Sequence, residues 1–259
     1  DNRAGANGNI GAELAAKSAP NGYTLLGVSN TTVTINPSLY SRMPIDMLRD
    51  LAPISIFAGQ PNILVVHPAL PARTVKELVA LAQARPGEIN YASAGTGSSS
   101  HIAAELFRMV AKINITHVPY KGNGPAMADL IGGQVPMMFN NLAPSVAQVK
   151  AGKLRALAVT GEQRSTAAPD VPTMDEAGYP KVVFILWVGL LAPAGTPPDI
   201  IAKLHTETVK AAQSREVRER LAGEGAEPAT TSPAQMAEIM RDETAKWSAV
   251  IKAANISLE

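Results

Sequence analysis

The chain has 259 residues, of which 46% are hydrophobic and 17% charged, and its formal net charge is +1. This composition predicts a globular protein of one large domain or two lobes, and the lack of a basic excess argues against nucleic acid as a partner. There are no cysteines, which excludes disulfides and a cysteine nucleophile, and the longest apolar run, residues 182–192, is too short to span a bilayer.

Short apolar strands alternate with helical segments along the first part of the chain. Strands are predicted at residues 23–28, 62–67 and 89–93, where β-branched and apolar residues cluster. A helix is predicted to begin after Thr74, because Glu77 three residues on is spaced for a capping box. A loop of small residues follows the third strand and leads into another helix with apolar residues at helical spacing.

The same alternation continues to the end of the chain. Further strands are predicted at residues 113–118, 135–139, 154–160 and 182–191. Further helices are predicted to begin at Pro125, Pro144, Thr196 and Ser232. Repeated strand–helix alternation is typical of an α/β fold with parallel sheets, in which ligands bind where loops lead from strand ends into helices.

The loop at residues 93–101 (SAGTGSSSH) is the most informative stretch for function. Its glycines allow a backbone to approach a ligand closely, and its small hydroxyls donate hydrogen bonds without bulk. The start of the following helix adds free N–H groups and a positive dipole end, so the loop predicts an anion site without Lys or Arg. The alternative is a plain capped turn. The candidate residues here are Ser93, Thr96, Gly97, Ser98, Ser99 and His101.

A second polar segment follows the first predicted strand. Ser29 and Thr31 offer the same hydroxyl chemistry and are candidates for ligand contact, although such a run is often only a turn. The four histidines, residues 67, 101, 117 and 205, show no metal-ligand spacing, and His67, His117 and His205 are interpreted as structural. No metal or cofactor is therefore expected.

Several collinear segments resemble the Bug/TctC family of extracytoplasmic solute receptors. Those segments include residues 2–13 (NRAGANGNIGAE), 20–26 (PNGYTLL), 117–122 (HVPYKG), 152–160 (GKLRALAVT) and 189–197 (GLLAPAGTP). The resemblance covers essentially the whole chain. It implies a fold like type II periplasmic binding proteins, with two α/β lobes, parallel-rich sheets and a hinge of crossing strands.

The resemblance also implies a domain organisation. Lobe 1 is expected at residues 1–65 and 187–259, and lobe 2 at residues 66–186, with a carboxylate ligand in the cleft between them. The first strand–helix–strand unit of the family, with its Pro- and Gly-rich ligand loop, is missing before Asn2. We therefore expect the sequence to be part of a longer protein, from which a signal segment has been removed or trimmed.

The function implied by the resemblance is binding without catalysis. A small di-, tri- or aromatic carboxylic acid is captured by hinge closure in the periplasm and delivered to membrane subunits of a tripartite tricarboxylate-type transporter. The receptor is expected to be a monomer that neither inserts into the membrane nor binds nucleic acid.

Asn140 belongs to the expected ligand site. Family members often carry Asp after the preceding Phe, and an uncharged Asn favours a plain carboxylic acid over an amino acid. The alternative is that Asn140 merely terminates a strand.

The sequence leaves two other functions open. The closed receptor could present its ligand to a sensor kinase, which neighbouring genes would distinguish from transport. A hydrolase would use Ser98 or Ser99 with His101, but no orienting acid is evident.

Overall fold

The computed structural model describes residues 1–3 and 5–258 and divides the chain into two compact units. Unit 1 comprises Asp1–Gly59, Leu186–Leu221 and Glu227–Glu259, and unit 2 comprises Gln60–Ile185 and Ala222–Ala226. No helix within the described residues is both long and apolar enough to cross a membrane.

Unit 1 is built from short strands and most of the helices at the two ends of the chain. Its strands are β1 (Leu26–Ser29), the first part of β2 (Leu51–Val66), β7 (Ile185–Pro193) and β8 (Glu227–Pro228). Its helices are α1 (Asn9–Ala16), a π-helix (Thr31–Ile35), α2 (Asn36–Leu39), α7 (Pro198–Gln213), most of α8 (Arg215–Gly223) and α9 (Pro233–Ala254). β1 pairs antiparallel with β7, and β2 pairs antiparallel with β8.

The core of unit 1 lies where α9 packs on β7. Met236 and Met240 are almost fully buried in one cluster with Trp187 and Leu191. Gly189 permits this approach, because a Cβ there would lie 2.7 Å from Cε of Met236. Ser232, the predicted start of this helix, caps α9 in a full capping box with Gln235.

Unit 2 holds a five-stranded mixed sheet in the order β6–β2–β5–β3–β4. Its other strands are β3 (Asn90–Ser93), β4 (Thr116–Pro119), β5 (Met137–Asn141) and β6 (Arg155–Val159). Its helices are α3 (Val75–Ala84), α4 (Ser99–Ala111), α5 (Asn123–Ile131) and α6 (Leu142–Lys150). β3 runs parallel to β4 and β5, whereas β2 runs antiparallel to β5 and β6.

This topology places four strand ends at one edge of the unit 2 sheet. β3 to β6 all run in the same direction, because β5 is parallel to β3 and both β5 and β6 are antiparallel to β2. Their carboxyl ends therefore share an edge, and α4 begins there after a short loop. This is the edge at which α/β sheets bind ligands.

Some elements differ from those predicted. β2 begins at Leu51 rather than residue 62, since Pro53 and Pro61 obscure its strand pattern. α8 has no buried residue and hence no apolar stripe to reveal it. α5 begins at Asn123, slightly before the predicted start at Pro125.

Candidate ligand-binding site

Ser93 ends β3 and fixes the start of the loop. Its side chain is fully buried, and its oxygen accepts a hydrogen bond from the N–H of Gly95 at 3.1 Å. The same oxygen lies 2.6 Å from Nε2 of His117 on β4. Ser93 therefore stabilises the loop from within and joins it to the neighbouring strand.

His101, on the first turn of α4, holds the middle of the loop. Its Nδ1 accepts a hydrogen bond from the N–H of Gly97 at 3.1 Å, which requires a neutral ring. The ring stacks on that of His117, with centroids 3.9 Å apart. Burial lowers the pKa of His101 to about 3, and the nearby His117 and Arg108 act in the same direction. The imidazole is therefore a dependable acceptor at neutral pH.

A further aromatic ring supports the histidine pair. Tyr91 stacks on His117 at 5.0 Å between centroids, and its hydroxyl donates to Oε1 of Glu105 at 2.6 Å. Glu105 also forms an ion pair with Arg108 at 2.7 Å. Burial raises the pKa of Tyr91, so its hydroxyl stays protonated. The two histidines thus pack against side chains that are held in place by hydrogen bonds to one another.

Several backbone N–H and C=O groups of the loop are satisfied by protein side chains. Ser98 is the N-cap of α4 and donates to the carbonyl of Gly95 at 2.6 Å, while Ser100 Oγ accepts from the N–H of Ala94 at 2.9 Å. The N–H groups and hydroxyls of Thr96 and Ser99 have no partner among the described residues. Those groups, at the positive end of α4, are available to an anion.

Asn140 lies on β5, the strand next to β3. It is almost fully buried, and its Nδ2 donates to Oγ of Ser145 at 3.1 Å. Its Oδ1 has no partner within the described part of the chain. Asn140 therefore retains one unused acceptor close to the strand ends.

Ser29 and Thr31 belong to unit 1, where their hydroxyls are 2.7 Å apart. Ser29 ends β1 and Thr31 begins the π-helix, an element that is frequent at functional sites. The N-terminal motif holds this segment, because the carbonyl of Asn7 accepts from Thr32 Oγ1 at 2.8 Å and from Asn36 Nδ2 at 3.0 Å. The two hydroxyls are thus presented by a tightly anchored segment.

A partly buried carboxylate contacts the segment that holds the π-helix. Oε2 of Glu243, on α9, accepts from Thr34 Oγ1 at 3.2 Å, Asn30 Nδ2 at 3.4 Å and Trp247 Nε1 at 3.4 Å. Burial raises the pKa of Glu243, and the hydrogen bonds from Trp247, Thr34 and Asn30 oppose that shift. Glu243 therefore joins the last long helix to the segment that carries Ser29 and Thr31.

The structure brings one group of predicted residues together. Ser93, the loop residues and His101 share one edge of the unit 2 sheet with Asn140, whereas Ser29 and Thr31 lie in unit 1. A ligand role for each of them stays a prediction. His117, interpreted from the sequence as structural, contacts Ser93, and the sequence gives no sign of this contact because it depends on the pairing of β3 with β4.

The geometry does not form the serine–histidine pair that a hydrolase would need. Ser98 donates to a carbonyl, and the His101 ring accepts from Gly97. The serine–histidine contact that does occur joins His117 to the fully buried Ser93. Within the described residues, no group of three histidine or acidic side chains could hold a metal ion.

Gly95 should be essential to the loop. Its φ of +127° is one that residues with a Cβ rarely adopt, and a Cβ there would lie 3.2 Å from the carbonyl oxygen of Tyr120. We expect Gly95→Val to lower the free energy of unfolding by about 1–3 kcal/mol. Urea denaturation measures this. Gly124→Val is the matched control, because a Cβ added at Gly124 would have no atom within 4 Å. An equal loss of stability in both variants would contradict the prediction.

Comparisons with known proteins place this fold in a class of solute-binding receptors. Residues 1–256 match the family described as the tripartite tricarboxylate transporter family receptor, TctC. Protein BugT of Bordetella pertussis is 40% identical over all of this chain and 79% of its own length. The chain therefore belongs to the TctC family, whose members are solute-binding proteins, and the predicted family is confirmed.

Solved structures support the same fold. The R. palustris protein Rpa4515 with adipate is 36% identical, with a TM-score of 0.86 over 99% of this chain and 86% of that one. MatC of Rhodopseudomonas palustris with bound malate is 31% identical, with a TM-score of 0.79 over 95% and 85%. The periplasmic binding protein BugD is 30% identical, with a TM-score of 0.83 over 100% and 87%. The predicted periplasmic-binding-protein fold is thus confirmed. The expectation of parallel-rich sheets is wrong, because β2 pairs antiparallel with β5, β6 and β8, and β1 pairs antiparallel with β7.

Proposed function

We propose that this protein is a periplasmic receptor that binds a small organic acid and delivers it to the membrane subunits of a tripartite tricarboxylate-type transporter. Family membership supports the receptor role. Relatives whose structures contain adipate and malate support a carboxylate as the ligand.

The observation that carries the proposal is the set of free groups at the start of α4. The amides and hydroxyls of Thr96 and Ser99 have no partner among the described residues, and they lie at the positive end of a 13-residue helix. A carboxylate placed there would gain charge-assisted hydrogen bonds without a cationic side chain. The exposed Lys121, in the adjoining loop, would add long-range attraction.

The predicted residues have different roles in the proposed site. Ser93, Gly97, Ser98 and His101 shape the loop, Thr96 and Ser99 contact the ligand, and Asn140 contributes an acceptor at the same sheet edge. Ser29 and Thr31 are proposed to donate from unit 1. Closing of the two units on the acid, which the family resemblance implies, is part of the proposal.

A ligand screen tests this function. Thermal denaturation is measured with mono-, di- and tricarboxylates, aromatic acids and amino acids, because a ligand of the native state raises the melting temperature with its saturation. We expect one class of carboxylates to raise it, and isothermal titration then gives Kd. Diamides of the same acids are the matched control, since they keep the shape and lose the charge. If no acid shifts the transition, the receptor proposal is wrong for this chain.

A further inference from the structure

Asn62, on β2, has a side chain with no hydrogen-bond partner. The residue is fully buried, and neither Oδ1 nor Nδ2 has a partner within the described residues. Its backbone is nevertheless satisfied. The N–H of Asn62 donates to Oγ1 of Thr160 at 2.8 Å, and its carbonyl accepts from the N–H of Thr160 at 2.8 Å. The unsatisfied groups are therefore those of the carboxamide alone.

A carboxamide of this kind is unfavourable for folding alone. Burying a polar group without partners costs stability, and an apolar side chain of the same shape would avoid that cost. Buried polar groups in native proteins nearly always have partners, so an exception calls for an explanation. A group that is satisfied only when ligand is bound would provide one.

The register of the sheet places Asn62 at the same edge as the candidate site, with β5 between its strand β2 and β3. Side chains directly opposite each other in paired strands project from the same face. Asn62 lies two residues from Leu64, which is opposite Phe139, and the Phe139 ring is 5.7 Å from that of Phe107 on α4. Asn62 is thus on the face covered by α4. It is opposite Asn141, the last residue of β5, and so lies at the edge where α4 begins.

The carboxamide and the free groups of α4 are complementary in chemistry. Thr96 and Ser99 offer donors to a carboxylate, whereas Asn62 offers both an unused donor and an unused acceptor. A carboxylate oxygen can accept from Nδ2, but Oδ1 needs a donor, which a plain carboxylate lacks at neutral pH. A hydroxyl on the carbon next to the carboxylate supplies that donor at the right separation.

We infer that Asn62 is a specificity residue for 2-hydroxycarboxylates. Its Nδ2 donates to a ligand carboxylate oxygen, and its Oδ1 accepts from the ligand 2-hydroxyl. The inference rests on the proposed function and narrows the ligand class of the same site. It adds a contact residue beyond those predicted from the sequence.

Matched ligands test the inference directly. L-malate and succinate differ only by the 2-hydroxyl, so isothermal titration with both isolates its contribution. We expect the wild-type protein to bind malate about tenfold or more tightly than succinate. Asn62→Leu should remove that preference and weaken malate binding by a similar factor, while leaving the melting temperature of the free protein unchanged or higher. Asn114→Leu, at an exposed position of unit 2, should change neither affinity.

The possible outcomes separate the two proposals. If the wild-type protein binds no acid at all, the receptor function itself fails. If it binds acids without preferring malate to succinate, the 2-hydroxy class is wrong. If Asn62→Leu keeps the wild-type preference, Asn62 is not the residue responsible. Should Asn62→Leu fail to fold, the isosteric Asn62→Asp replaces it, because a carboxylate facing the ligand must abolish malate binding if the contact exists.

Discussion

Lowering the pH from 7 to 4 should reduce the free energy of unfolding by about 3 kcal/mol through His101 alone. The pKa of this histidine is about 3 in the folded protein, compared with an ordinary 6.5. Between these values the unfolded chain binds a proton that the folded chain excludes. The contribution of the neutral His101 to the free energy of unfolding is therefore fully present above pH 6.5, and it is lost as the pH falls towards 3.

The structural cause is the acceptor role of His101. A protonated ring can no longer accept from the N–H of Gly97, and it would face His117 at 3.9 Å with Arg108 also nearby. Burial lowers the pKa of His117 as well, so that residue adds to the acid sensitivity, although Glu105 opposes its shift. Acid should thus disorder the loop that carries Thr96 and Ser99 before the rest of unit 2.

Two substitutions at position 101 separate the charge from the hydrogen bond. In His101→Asn, the amide oxygen can still accept from Gly97, but the side chain cannot be protonated; in His101→Phe, the stack remains and the acceptor is lost. Urea denaturation at pH 7 and pH 4 should show a smaller acid loss in both variants than in the wild type. Ligand affinity at pH 7 should survive in His101→Asn only. An undiminished acid loss in His101→Asn would exclude His101 as its source.

The sequence predicts the loop better than it predicts the support beneath it. Residues 93–101 combine glycines, small hydroxyls and a helix start, so their local chemistry is visible without a structure. His117 and Glu105 become parts of the site only through β-sheet pairing and packing on α4, which bring together residues far apart in the chain. No periodicity or motif encodes such contacts.

Asn62 is another residue whose role could not be predicted from the sequence. In the sequence it is simply the first polar residue of an apolar strand, and nothing distinguishes it from a turn residue. Its importance comes from full burial combined with missing hydrogen-bond partners, and both depend on the folded structure. Likewise, α9 is predicted from its cap and apolar stripe, but Glu243 is inconspicuous until the helix packs on the π-helix.

Replacing Glu243 by leucine should lower the free energy of unfolding at pH 7 by about 2–4 kcal/mol. The substitution removes the acceptor shared by Asn30, Thr34 and Trp247, so buried donors lose a partner. Leucine recovers part of the loss through apolar contact. The segment that presents Ser29 and Thr31 should also lose its anchor, and its backbone amides should exchange hydrogen faster than in the wild type.

Glu243→Gln and Glu238→Leu complete the experiment. Glutamine keeps an acceptor oxygen and should cost less stability than leucine. Glu238 is exposed on the same helix, so its replacement should have little effect.

Because burial raises the pKa of Glu243 above 4.5, the folded state holds the proton of this carboxyl more tightly than the unfolded state does. Its contribution to stability therefore falls as the pH rises through that raised pKa, opposite to His101, and Glu243→Gln should remove this component. Equal stability of Glu243→Leu and Glu238→Leu would show that the partly buried carboxylate does not hold the π-helix in place.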